Sequence, residues 1–262
     1  MKPFRLSLLL APLLLAACAT TPASARSHAT TASESIVLRE DLQLHPLADG
    51  VWRHVSTEEV PGFGTVPSNG LLVQGESGAL LVDTPWTPEQ TRAVLAWAQS
   101  ELGQPVLDVI VTHSHRDRTG GVAALPPGVR IHALPATAEL SAADGRPFAA
   151  TALPPEATLE LPGGTVHTFF PGAGHTSDNL VVWLPAHRIL HGGCFVKDAT
   201  ANHLGNVADA DPSSWSGAVE RVRARFPAPA IVVPGHGAPG GPELLDHTAA
   251  LVEAARPQTH SP

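Results

Sequence analysis

Four apolar runs in this chain end in glycine-bearing turns, and each turn delivers histidine, aspartate or cysteine. Val106–Val111 runs into Thr112-His113-Ser114-His115-Arg116-Asp117-Arg118-Thr119-Gly120-Gly121, and Thr165–Phe170 into Pro171-Gly172-Ala173-Gly174-His175. Arg188–Leu190 leads to His191-Gly192-Gly193-Cys194, and Ala230–Val233 to Pro234-Gly235-His236-Gly237. Glycine lets the backbone bend sharply and place the next side chain without a Cβ clash. In open α/β sheets the strand ends are where ligands bind. A fold that serves these four runs must bring their ends together.

The elements between them read as alternating strands and helices. Residues 50–57 read as a strand, and 69–74 and 79–83 as a hairpin about Gly75-Glu76-Ser77-Gly78. Thr87-Pro88-Glu89-Gln90 is a capping box with proline at the first helical position. It predicts a helix to about Leu102, with Val94, Leu95, Ala98 and Leu102 on the buried face. Asp211-Pro212 predicts a helix through Arg225, and Pro242–Ala255 a last one. Such alternation implies an α/β fold with sheet and helix layers.

The N-terminus reads as an export signal. Lys2 and Arg5 precede an apolar stretch, Leu6 to Ala17, too short for a bilayer span of about 20 residues. Leu15-Ala16-Ala17-Cys18 resembles the cleavage box of bacterial lipoproteins, which makes 1–17 the signal and Cys18 an acylated residue; cleavage after Ala25 is the alternative. Residues 18–40 then read as a flexible tether, 41–256 as the folded domain and 257–262 as a tail. This places the protein in the periplasm, anchored to the inner face of the outer membrane if Cys18 is acylated. Export makes the cysteine count informative, because exported chains usually pair their cysteines. With Cys18 acylated, Cys194 stands alone. The formal charge of −8 argues against a nucleic-acid partner, and a monomer is expected.

His113, His115, Asp117, His175, Cys194 and His236 are too many donors for one tetrahedral zinc and suit two. Zinc takes neutral imidazole, carboxylate and thiolate, and a catalytic site keeps one position for water. Of the 14 histidines, His28, His45, His54, His187 and His260 carry no signal of this kind.

These residues resemble the zinc sites of class B β-lactamases, the metallo-β-lactamases. The likeness runs from about Leu42 to Ala255 and is greatest to the subclass with a three-His and an Asp-Cys-His site, which includes the New Delhi and Verona types. Pro61-Gly62-Phe63-Gly64, Ser68-Asn69-Gly70, Asp83-Thr84-Pro85-Trp86, Gly174-His175-Thr176-Ser177-Asp178-Asn179 and Leu204-Gly205-Asn206 also resemble that subclass. Thioester hydrolases of the superfamily carry His where this chain has Arg118, and they lack the cysteine. Thioester or lactone hydrolysis is therefore the second enzymatic reading, and a non-catalytic zinc-binding lipoprotein the third.

The resemblance implies a four-layer αββα sandwich and two Zn2+ per chain. It implies hydrolysis of the β-lactam amide bond of penicillins, cephalosporins and carbapenems by a metal-bound hydroxide, and so antibiotic resistance. His113, His115 and His175 would hold the first zinc, and Asp117, Cys194 and His236 the second. Asp117 and Asn206 are the candidate catalytic residues. Lys197, Asn206, Phe63 and Trp86 are candidates for substrate contact, with Lys197 on the carboxylate and Phe63 at the tip of a flap spanning Glu59–Val66. Asp83 and Arg118 are expected to support the ligands from behind. His203 is expected to line the cleft, with no chemistry assigned.

Overall fold

The computed structural model describes residues 34–256. The signal, Cys18 with its two cleavage readings, and the tail 257–262 lie outside the described residues. Among the described residues no helix is long and apolar enough to cross a membrane.

An eight-stranded sheet takes its strands in chain order: β1 (Ile36–Arg39), β2 (Leu42–Ala48), β3 (Val51–Val60), β4 (Gly64–Gln74), β5 (Ala79–Val82), β6 (Val106–Ile110), β7 (Arg130–Ala133) and β8 (Ala150–Ala152). Between them lie α1 (Pro88–Glu101), the one-turn α2 (Arg116–Thr119) and α3 (Pro135–Ala143). The second sheet comprises β9 (Glu156–Leu161), β10 (Gly164–Phe169), β11 (Val181–Leu184), β12 (Ile189–Gly193) and, after α4 (Pro212–Arg225), β13 (Ile231–Pro234). The helix α5 (Glu243–Ala255) closes the chain's described part.

Apolar patterning stacks these elements in four layers. Every residue of β5 is buried, as expected of a strand covered on both faces. Leu80 and Val82 face the second sheet, where Val166, Val182, Leu184 and Val233 meet them. Ala79 and Leu81 face the other way, beneath Val94 and Ala98 of α1. On the far side, Trp215, Val219 and Val222 of α4 and Leu244, Leu245 and Val252 of α5 cover Val181, Leu190 and Val232. The expected αββα sandwich is the fold observed.

Local signals fix the helix starts. Thr87 accepts from the backbone of Gln90 while the Gln90 side chain accepts from Thr87, completing the capping box. The Asp211 carboxylate accepts from the amides of Ser213 and Ser214. One boundary differs from expectation. Ile36–Arg39, assigned above to the tether, pairs antiparallel with β2, and Leu38 packs against the α1 side of the sheet. Its alternation covers only four residues, too short to stand out beside a polar stretch.

The topology positions the site. β5, β6 and β7 are parallel, as are β12 and β13, so the loops after β6, β12 and β13 leave toward one edge of the sandwich. The hairpin β3–β4 extends toward the same region, with Val60 opposite Gly64 and the turn Pro61-Gly62-Phe63 at its tip.

Candidate metal centre

Two sets of donor atoms converge at that edge. In the first, the rings of His113, His115 and His175 stand edge to face, with centroids 4.8, 5.0 and 5.1 Å apart. His175 Nε2 and His115 Nδ1 are 3.2 Å apart, and the buried His113 Nε2 has no hydrogen-bond partner. In the second, Cys194 Sγ lies 3.2 Å from Asp117 Oδ2 and 3.1 Å from His236 Nε2, and those two are 3.4 Å apart. Tetrahedral zinc with ligand bonds of about 2.0–2.3 Å holds its donors about 3.3–3.8 Å apart. The second set fits that spacing to within a few tenths of an ångström, as does the His115–His175 pair of the first, whose three nitrogens all lie within 4.8 Å of one another. Imidazole, thiolate and carboxylate are zinc's usual donors. Asp117 Oδ1 stands 4.0 Å from His113 Nε2, so its carboxylate lies between the sets.

Burial decides the protonation of these groups. It pulls the His113 pKa down to about 4 and those of His175 and His236 below the ordinary imidazole range, leaving free lone pairs. Without metal, burial pushes the Cys194 thiol up to about 12, against the opposing pull of Arg118. Burial would raise the Asp117 carboxyl too, but Arg118, His113 and His236 outweigh it and hold the group well below its usual value. A bound cation would make the thiolate the stable form.

Arg118 is the hub behind the second set. Its side chain has no solvent exposure, and Nη2 lies 2.8 Å from Asp117 Oδ2, 3.0 Å from Cys194 Sγ and 2.9 Å from the Gly235 carbonyl. A side chain at 235 would run into Arg118 Nη2 at 2.7 Å and the Cys194 backbone at 2.5 Å, so glycine is required there. Nη1 reaches Asp83 Oδ2 at 3.4 Å and also donates to the Asn69 carbonyl. Asp83, in the left-handed region at φ 61°, accepts from the Thr112 amide and hydroxyl and lies 3.0 Å from His191 Nε2. Burial favours its neutral form, but the His191 hydrogen bond and the Arg118 charge prevail and lower its pKa. Asp83 thus ties the loop after β6 to the strand that leads to Cys194, and both Asp83 and Arg118 lie behind the second set.

The ligands also have outer partners. His236 Nδ1 donates to the Pro67 carbonyl at 2.6 Å, and His115 Nε2 lies 3.0 Å from Asp209 Oδ2. Such contacts fix a ring's orientation and tautomer. Sequence reasoning missed His191, His54 and Asp209. A histidine within an apolar strand run, as His191 is, signals a polar group needing a buried partner. Asp209 carries no such signal, since its contact spans 94 residues.

Both sets open into one cleft of about 440 Å3. Phe63, Trp86, Lys197 and Asn206 all line it, and His203 does so as well. Phe63 is 59% exposed at the hairpin tip. Asn206 Oδ1 accepts from the Ala208 amide, which makes it a turn residue as well as a cleft residue. Arg116 pairs with Glu58 of the hairpin at 3.7 Å.

Comparison with known proteins agrees with this geometry. The family described as the metallo-beta-lactamase superfamily matches residues 63–236. A metallo-beta-lactamase type 2 of Bacteroides fragilis is 37% identical over 235 residues, covering 89% of this chain and 94% of that one. A metallo-beta-lactamase structure from Erythrobacter litoralis superposes with a TM-score of 0.79 at 37% identity, over 84% of this chain and all of that one. The mono-zinc form of FIM-1 from Pseudomonas aeruginosa superposes with a TM-score of 0.77 at 35% identity, over 84% of this chain and 99% of that one.

Proposed function

The chain belongs to the metallo-β-lactamase superfamily, and from that premise we propose how its residues divide the work of opening a β-lactam ring. The protein is a zinc hydrolase of the β-lactam amide bond. The observation that carries the assignment of roles is that six donors from four strand ends gather as two three-donor sets at one edge of the sandwich, five of them in the wall of a single cleft.

We assign one zinc ion to His113, His115 and His175 and a second to Asp117, Cys194 and His236. Zinc bound there supplies Lewis acidity toward the lactam carbonyl and a water-derived nucleophile near neutral pH. The chain's residues do the rest. Asp117, between the two sets, orients the attacking water through its carboxylate. Arg118 holds Asp117 and Cys194 in place, and Asp83 holds Arg118. Lys197 receives the substrate carboxylate at the edge of the second set, where a compact ammonium on a flexible stem suits a point-charge contact. Asn206 Nδ2 donates to the oxygen that gains charge as the ring opens. Phe63 closes over the apolar face of the substrate, and Trp86 forms part of the facing wall.

We extend this reading to penicillins, cephalosporins and carbapenems, and hence to antibiotic resistance in the host. Zinc-loaded protein should hydrolyse one member of each class, lose that activity to a chelator and recover it with zinc. Turnover of thioesters or lactones with none of the three β-lactams would contradict the reading. We also place the protein in the periplasm on a lipid anchor at Cys18. Recovery of all wild-type protein in the soluble periplasmic fraction would favour cleavage after Ala25 instead.

A further inference from the structure

Lys197 has an unusual neighbour. Its Nζ lies over the ring of Trp215, 5.2 Å from the centroid, and among the described residues it enters no ion pair. Trp215, on α4, is among the largest fully buried side chains of the protein. Its indole N–H donates to the Phe195 carbonyl at 3.0 Å, which fixes the ring's rotation. The same ring packs at 6.0 Å against His175 and at 6.1 Å against Phe195. The loop before His175 makes room for this arrangement. A side chain at Gly174 would meet the Trp215 ring at 3.0 Å and the Phe195 ring at 2.7 Å. One indole therefore touches both a member of the three-His set and the ammonium that faces the cleft.

We propose that Trp215 is a positioning residue for substrate binding: its ring face shelves the Lys197 ammonium at the cleft. The inference rests on the reading that Lys197 receives the substrate carboxylate. The chemistry favours tryptophan for this place. Its electron-rich face attracts a cation without a competing carboxylate, and tryptophan does so better than tyrosine or phenylalanine. A carboxylate in the same position would fix the ammonium but neutralise it, and the substrate would have to displace that partner. A ring holds the cation and leaves its N–H donors free for the substrate.

Two readouts test the proposal. The first uses no turnover. The chain has two lysines, Lys2 and Lys197, so reductive methylation with 13C-formaldehyde places dimethylamine signals on few sites, and Lys197→Arg assigns that of Lys197. Ring current should shift the Lys197 methyl signal upfield in wild-type protein, and Trp215→Leu should return it to the position of a free lysine. The second compares a carboxylate-bearing cephalosporin with its methyl ester. Trp215→Leu should raise KM for the free acid about 5- to 30-fold, the range of a desolvated cation–π contact, with little change for the ester. Trp215→Phe, which keeps a ring face, should restore most of the difference and serves where the leucine variant fails to fold. In a Lys197→Ala background the Trp215 change should add nothing to KM. An unshifted methyl signal in wild-type protein would overturn the proposal, as would equal rises for acid and ester. A shifted signal with wild-type KM in Lys197→Ala would instead overturn the anchoring role of Lys197, and with it the catalytic meaning of the shelf.

Discussion

The two ligand sets differ in what stands behind them. The three imidazoles of His113, His115 and His175 meet one another edge to face, and the carboxylate that touches His115, Asp209, has a side chain 64% exposed. The second set is built around a guanidinium that no solvent reaches, with Asp117, Cys194 and Asp83 on its nitrogens. Neutral donors tolerate burial without metal at modest electrostatic cost. An anionic carboxylate does not, because an unpaired buried charge is strongly destabilising. Arg118 supplies the missing cation. Arg118 already neutralises the Asp117 charge, and zinc entering the second set must displace the proton that burial holds on Cys194, so the second set should bind zinc more weakly than the first.

The sharpest way to break this contrast is to disturb the network under the second set. Asp83→Asn keeps the side-chain shape and the tolerance for positive φ, but removes the charge shared by Arg118, His191 and Thr112. Breaking a buried pair of this kind costs about 3–5 kcal/mol. Urea denaturation of metal-free protein at neutral pH should show that loss, and a change below about 1 kcal/mol would mean that the network does not carry the fold at this edge.

Acid should reveal a second buried base beside Asp83. His54 Nε2 lies 3.0 Å from the Asp83 carbonyl, and burial lowers its pKa from 6.5 to about 4. The unfolded chain therefore takes up this proton first as pH falls. Its contribution is complete above pH 6.5 and drains as pH falls toward 4, by about 3 kcal/mol. His54→Gln should flatten the dependence of metal-free stability on pH in that window. Identical slopes for the two proteins would remove His54 from the account.

A smaller effect is expected on the first set. Asp209→Ala takes away the outer partner of His115, and losses of this kind weaken metal binding about 10-fold or more. Because Asp209 is exposed, metal-free stability should move by less than about 0.5 kcal/mol. A stability loss comparable to that of Asp83→Asn would erase the distinction between the two sets.

Much of this site was legible before the fold was known. The six donors follow strand-and-glycine patterns, and the capping box and Asp211 mark α1 and α4 by local hydrogen bonding alone. The supports were less visible. His191 stands out locally as a polar group in an apolar run, but its partner Asp83 lies 108 residues away, and Trp215 meets Lys197 only through packing of α4, so neither pairing leaves a local trace. The short strands β1, β7 and β8, of three or four residues each, give too little alternation to be read. Nor does a nine-residue α3 whose main polar anchor is a Ser141 hydroxyl on the Arg146 carbonyl.

We propose that two zinc sites of unequal strength share this edge, the weaker one containing Cys194. Titration of metal-free protein with zinc against a competing chelator, with thiol labelling of Cys194 followed at each step, tests it most directly. Two equivalents should bind. The first should leave Cys194 labelling largely unchanged, and the second, weaker one should suppress it. Saturation at one equivalent, or equal labelling of Cys194 in metal-free and saturated protein, would contradict the account.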